Sequence, residues 1–261
     1  VTIQRINAGR GHWYKIDGQK ADGVTTLIKD GLPKPALVYW SARTVAEYVA
    51  DNLDQIAAMA SMGRSSIVAA LKEIPWTQRN TAAVKGTRVH ALAEKLATGE
   101  QVDVPDDLAG HVEACVRFLD DWQIQPLAVE AVIAHRRWRY AGTADLFAEA
   151  VPPGQATPVR AVFDYKTSAS GIWPETALQL AAYQHAEVYL DADGQEKPVA
   201  ELGVTGSYGV WLRADGYDVI PLDTSEQVFR TFQHIAYVAR RARDAKSWIG
   251  EAIQPKEYAT R

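Results

Sequence analysis

The chain is expected to adopt an α/β fold, with a mainly helical first half and an α/β core behind it. Three observations predict this. Helical patterns dominate the segment from Ala36 to Trp122. Three runs rich in β-branched and apolar residues follow between Leu127 and Thr167. A helix, two short strands and a last helix then complete the pattern to Trp248.

The elements read in order as follows. Trp13–Ile16, the turn Asp17-Gly18 and a return strand ending near Val24 form a short hairpin. Thr25-Thr26 can cap a short helix that Pro33 and Pro35 end. A longer helix is expected from Ala36 to about Ala60. Further helices are expected from Ser65 to Glu73 and from Thr77 to Thr98, the latter stopped by Gly99. Asp106 to Trp122 carries Leu108, Val112, Cys115, Val116 and Leu119 at helical spacing. Strands are expected at Leu127–His135, Tyr140–Glu149 and Val159–Thr167. The Pro-Gly-rich loop from Val151 to Pro158 makes the last two a hairpin. Pro174 suits the first turn of a helix reading from Ala177 to Leu190. Gly203–Leu212 and Tyr217–Pro221 read as strands, and Ser225–Trp248 as the last helix.

Composition excludes several classes. A chain of 261 residues with 47% hydrophobic and 23% charged residues can bury a sizeable core, so it is neither disordered nor fibrous. No apolar run is long enough to span a bilayer. No signal-peptide pattern opens the sequence, and its single cysteine excludes an internal disulfide, so a reducing cytoplasm is the expected location. The eight tryptophans are expected mostly in the core. A net charge of -4 does not preclude binding to DNA, because phosphate contacts depend on local charge.

The chemistry concentrates between Gly142 and Tyr183. Asp145 lies on one apolar run and Asp164-Tyr165-Lys166 on the next. Residues two apart on a strand share a face, so Asp164 and Lys166 point together and Tyr165 points away. Pairing of the two strands brings Asp145 to the same cluster. Gln179 and Tyr183 lie four apart on one helix face. Two carboxylates and a lysine on neighbouring strands suit metal-assisted phosphodiester cleavage. The carboxylates hold a hard cation, and the lysine handles the water or the developing charge.

Four motifs in order resemble the PD-(D/E)XK nuclease superfamily. Gly86-Thr87-Arg88-Val89-His90 is similar to its Gly-x-x-x-His helix, and Gly142-x-x-Asp145 to its first metal-binding aspartate. Asp164-x-Lys166 is similar to its signature pair. Gln179-x-x-x-Tyr183 is similar to the helix that marks the branch of RecB-type nuclease domains, CRISPR-associated adaptation exonucleases and phage recombination exonucleases. The resemblance implies a restriction-endonuclease-like core, a mixed central sheet flanked by helices. It implies one nuclease domain over 1–261, mainly helical over 25–125, with the catalytic core in 126–250. It implies Mg²⁺ or Mn²⁺ held by His90, Asp145, Asp164 and the carbonyl of Tyr165, with Lys166, Gln179 and Tyr183 completing the catalytic group. The expected activity is a DNA exonuclease of recombination, repair or phage DNA processing, leaving 5′-phosphate and 3′-hydroxyl ends. Single-stranded ends are the expected substrate. A recombinase, a single-strand-annealing protein or a helicase is the expected protein partner. Several relatives bind an iron–sulfur cluster through four cysteines; this chain has only Cys115, so no such cluster is expected.

Other readings stay open at this point. They are a DNA-end-binding protein on a catalytically decayed fold, an endonuclease of the same superfamily, and an unrelated small-molecule enzyme. Glu130, on the strand before Asp145, either assists the metal site or is an exposed strand residue. Glu94, four residues after His90, reads as helix surface. Lys85, Arg88, Arg136, Arg137 and Arg139 are the candidate DNA contacts, with Trp138 as a stacking ring; the run from Arg136 to Arg139 reads equally as a solvated hairpin end. Arg240, Arg241 and Arg243 read as a solvated helix face.

Overall fold

The computed structural model describes residues 2–9 and 11–253. The chain opens with an antiparallel meander of β1 (Ile3–Ala8), β2 (Gly11–Ile16) and β3 (Gln19–Gly23). Asp17 and Gly18 both take positive φ, 53° and 76°, as a two-residue hairpin turn of this type requires. Next come α1 (Val24–Gly31), α2 (Pro35–Asp51) and α3 (Leu53–Met59). The long helix expected to reach Ala60 therefore breaks at Asn52, whose side-chain amide donates to the Tyr48 carbonyl at 2.8 Å and closes α2.

After a 3₁₀ turn at Ala60–Met62, α4 runs unbroken from Arg64 to Ala97. Two helices were expected here. Pro75 lies inside α4 and is buried, and α2 packs along the helix. Tertiary packing therefore offsets the hydrogen bond that Pro75 cannot make. A 3₁₀ turn at Asp106–Leu108 leads into α5 (Ala109–Asp121). Then follow β4 (Gln125–His135), β5 (Tyr140–Ala150), β6 (Val159–Lys166) and α6 (Glu175–Gln184).

The helix expected to reach Leu190 stops at Gln184. Val188–Leu190 instead forms β7, which pairs with the edge of β4. An apolar Val-Tyr-Leu run gains more from an open sheet edge than from a frayed helix end. β8 (Glu196–Pro198), a 3₁₀ turn at Val199–Leu202, β9 (Gly206–Leu212), β10 (Tyr217–Pro221), α7 (Glu226–Arg243) and a 3₁₀ turn at Ala245–Trp248 complete the described chain.

All ten described strands join one mixed, curled sheet flanked by helices. Its main path is β1-β2-β3-β5-β4-β7-β8, while β6 pairs β5 and β9, and β9 pairs β10. The β3–β5 and β6–β9 pairs are parallel and the others antiparallel. One face carries α1, α6 and α7, with Leu27, Leu180, Tyr183, Phe229 and Phe232 packed on Ile133, Tyr140, Phe147 and Val162. The other carries α5 and the end of α4, with Val89, Cys115, Phe118 and Trp122 on Leu146, Phe163, Tyr165 and Val210. Burial pushes the Cys115 thiol up to about 12, in keeping with a core residue. Among the described residues, no helix is long and apolar enough to cross a membrane.

The edge of β5 is divided. Tyr140 and Ala141 pair with β3, whereas Leu146 to Ala150 pair with β6. Gly142 to Asp145 lie in the fork between those two partners. The candidate site residues gather at this fork.

Candidate metal and catalytic site

Asp145 projects from the fork. One of its oxygens, Oδ2, accepts the Tyr165 amide at 2.8 Å and stands 3.4 Å from Nδ1 of His90. The Tyr165 N–H therefore points at the fork rather than into a ladder. In an extended strand the N–H and C=O of one residue leave from the same edge, so the Tyr165 carbonyl faces the fork too. The Tyr165 ring goes to the opposite face, where it meets the His90 ring edge-on, centroids 6.0 Å apart, and helps fix it.

His90 reaches the site from α4. Gly86, one turn earlier, lets the helix approach the end of β6: a Cβ there would lie 3.2 Å from Oγ1 of Thr167. Burial acts to lower the pKa of His90, but the Asp145 carboxylate and its hydrogen bond outweigh burial and push it up to about 9. For Asp145, burial acts to raise the pKa, yet the His90 and Lys166 charges and the Tyr165 amide hold it below the usual carboxylate value.

With a folded pKa near 9 against an ordinary 6.5, protonated His90 stabilises the fold fully below pH 6.5, and that contribution is lost as pH rises through 9. In chelator-treated protein the melting temperature should fall across this window, and His90→Gln should flatten the fall. A flat wild-type profile between pH 6.5 and 9 would contradict the pairing.

Asp164 is 1% exposed and projects toward α6. Burying an ion costs several kcal/mol unless it is paired. Lys166, two residues along the strand, supplies the counter-charge at Oδ2, and Nε2 of Gln179 donates to Oδ1 at 2.7 Å. The same Gln179 nitrogen lies 3.0 Å from the Tyr183 hydroxyl. Burial still raises the pKa of Asp164, with the like charge of Asp145 adding to it. Burial acts to lower the pKa of Lys166, but Asp164 and Asp145 raise it on balance, so Lys166 is held as an ammonium.

Tyr183 depends on Gly142. A Cβ at Gly142 would stand 2.6 Å from Cε1 of the Tyr183 ring. Gly142→Ala should therefore cost about 1–3 kcal/mol by overpacking and disturb the Gln179–Asp164 contact. Chemical denaturation would measure the cost, and an unchanged stability would contradict the packing.

Glu130 completes the cluster. His135 pairs with Tyr140, and counting back from the Arg136–Arg139 turn sets Glu130 opposite Asp145. Glu130 has φ 47°, a left-handed conformation that costs a non-glycine residue about 1–3 kcal/mol. The pleat reverses there: Val129 and Leu146 pack in one core cluster, Ala131 and Ala144 in the other. Ligand atoms of His90, Glu130 and Asp145 consequently lie within 4.8 Å of one another. Burial raises the pKa of Glu130, with the Asp145 and Glu94 carboxylates adding to it, although Arg5 stands 3.4 Å from Oε2. Glu94 thus lies close enough to be felt at the site. The hairpin register was the available signal for Glu130; the left-handed backbone that aims it was not.

The structure therefore brings together His90, Glu130, Asp145, Asp164, Tyr165, Lys166, Gln179 and Tyr183. It does not bring Arg136, Arg137 and Arg139 with them. These lie at the β4–β5 hairpin end, roughly 20 Å along the strand from Asp145 at about 3.3 Å per residue. Arg136 is paired with Glu196 at 2.5 Å and stands 3.5 Å from Asp17, and Arg139 donates to Gln19 at 3.0 Å. Arg88 is near the site but is held by both oxygens of Asp107, at 2.8 and 3.1 Å. Lys85 is half-buried on α4, close enough to act on the charges of Asp107 and His111. Arg240 and Arg243 are not a free solvated face, since both bind Asp22. The tryptophans also depart from expectation: Trp122 is buried, whereas Trp76 and Trp173 are 52% and 45% exposed.

No protein-family model matches this sequence, and no curated protein sequence matches it either.

Proposed function

We propose that this chain is a divalent-cation-dependent deoxyribonuclease of the PD-(D/E)XK type that works from DNA ends. The observation that carries the reading is the convergence of His90, Glu130 and Asp145, with ligand atoms within 4.8 Å, beside the buried Asp164 and its half-buried partner Lys166. α4, β4, β5 and β6 each deliver part of it.

The donor set fits a hard cation: two carboxylates, an imidazole and a backbone carbonyl. His90, Glu130, Asp145 and the Tyr165 carbonyl would hold the ion, with Asp164 alongside. The imidazole favours Mn²⁺ over Mg²⁺. When bound, the cation lowers the pKa of a water and offsets charge on the phosphate.

The chain's own residues supply the rest. Lys166, held as an ammonium, donates to a phosphate oxygen or orients the attacking water. Asp164 fixes Lys166, Gln179 fixes Asp164, and Tyr183 fixes Gln179. The last two are positioning residues, which gives the Gln179-x-x-x-Tyr183 spacing a physical purpose.

The test is to incubate linear and covalently closed circular DNA with the protein in Mg²⁺ or Mn²⁺. Linear DNA should be degraded and closed circles spared. Equal attack on both would replace the exonuclease reading with an endonuclease. Cleavage of neither, with tight DNA binding, would favour an end-binding protein on a decayed fold.

A further inference from the structure

Arg88, Arg136 and Arg139, three of the five basic residues expected to hold DNA, are held by Asp107, Glu196 and Gln19. We infer that one stripe of α4 is a track for a single nucleic-acid strand leading to His90, an inference that rests on the nuclease reading. The stripe is Lys72, Trp76, Arg79, Ala83, Gly86 and His90, spaced alternately four and three residues apart, so these positions share one helix face. Its lower end is fixed by contacts: Gly86 faces Thr167 and His90 faces Asp145. Pro75 precedes Trp76, and the helix from there to His90 is uninterrupted.

The upper end has the chemistry of a strand-binding surface. Trp76 is 52% exposed, and the Arg79 guanidinium lies over its ring, 4.0 Å from the centroid. A ring stacked on one side by a cation offers its other side to a base, while the cation answers a phosphate. Lys72 and Arg79 are cationic, and no carboxylate occupies the stripe between Lys72 and His90. The small, exposed Ala83 leaves room for the backbone to pass before Gly86 packs on Thr167. Trp76 stands fourteen residues before His90, about 21 Å at 1.5 Å per residue. A strand stacked at about 3.4 Å per base would cover that span in about six nucleotides. Charge complementarity and continuity with the fork favour a nucleic-acid strand over a protein as the occupant.

The test measures affinity for a fluorescent single-stranded 20-mer in Ca²⁺, using protein that also carries Lys166→Ala so that cleavage does not intrude. Trp76→Ala with Arg79→Ala should weaken binding at least about tenfold, and Trp76→Phe, which keeps a ring, should largely restore it. Lys72→Ala with Arg79→Ala should lower the slope of log affinity against log salt by about 1.4, at about 0.7 per phosphate. Unchanged affinity and slope in variants with wild-type melting curves would overturn the track, as would failure of the unsubstituted stripe to bind the strand. A variant that loses self-association but keeps its DNA affinity would overturn it too, showing a face that joins copies of the chain. The two readings fail separately. Strand binding through the stripe without cleavage in Mg²⁺ by the wild type would sink the nuclease and leave the track. Cleavage with binding indifferent to the stripe would do the reverse.

Discussion

Lys166→Ala should lose DNA cleavage by at least about a hundredfold while retaining its affinity for Mn²⁺. Lys166 lies outside the group that could hold a metal ion, which is His90, Glu130 and Asp145. Its ammonium is paired to Asp164 and held protonated by two carboxylates. Removing one donor aimed at developing charge costs about 3–4 kcal/mol of transition-state stabilisation in comparable sites. The substitution also leaves the 1%-exposed Asp164 carboxylate without its counter-charge, so some stability should go as well. Lys166→Gln, which keeps most of the stem and a donor, separates the two effects: it should fold better than the alanine variant and still fail to cleave. Near-wild-type rates from either variant would remove Lys166 from the chemistry.

Asp145→Asn should behave differently, losing Mn²⁺ binding and cleavage together. Asp145 is the one carboxylate that touches both halves of the site, with His90 at 3.4 Å and the Tyr165 amide at 2.8 Å. An asparagine oxygen can still accept the Tyr165 N–H, so the fork should keep its shape. The charge that does most to raise the His90 pKa would be gone, leaving burial opposed only by the Asp164 carboxylate. Calorimetric titration with Mn²⁺ and an NMR titration of the His90 ring would follow both consequences. Retained Mn²⁺ affinity would exclude Asp145 as a ligand, and an unmoved His90 titration would exclude it as that group's partner.

Much of the site was legible because it is encoded locally. Strand parity fixes Asp164 and Lys166 on one face, and helical spacing puts Gln179 beside Tyr183. The four-residue turn at Arg136–Arg139 fixes the register that sets Glu130 against Asp145. What the sequence hid depends on partners distant along the chain. The stretch between Glu73 and Thr77 reads as a gap between two helices until α2 is seen packed along α4. Val188–Leu190 reads as a helix end until β4 offers it an edge. Arg136 reads as a free cation, although its partner Glu196 lies sixty residues on. The aim of Glu130 depends on a left-handed backbone that no residue type at that position announces. Trp76 reads as core and stands instead on an exposed helix face.

The deciding measurement is release of nucleotides from end-labelled linear DNA by protein first treated with a chelator and then supplied with Mn²⁺, for the wild type and Lys166→Ala side by side. No release in chelator, restoration by Mn²⁺ in the wild type alone, and products bearing 5′-phosphates are the expected results. Release that persists in chelator, or equal release by Lys166→Ala, would contradict a metal-dependent nuclease centred on Asp145, Asp164 and Lys166.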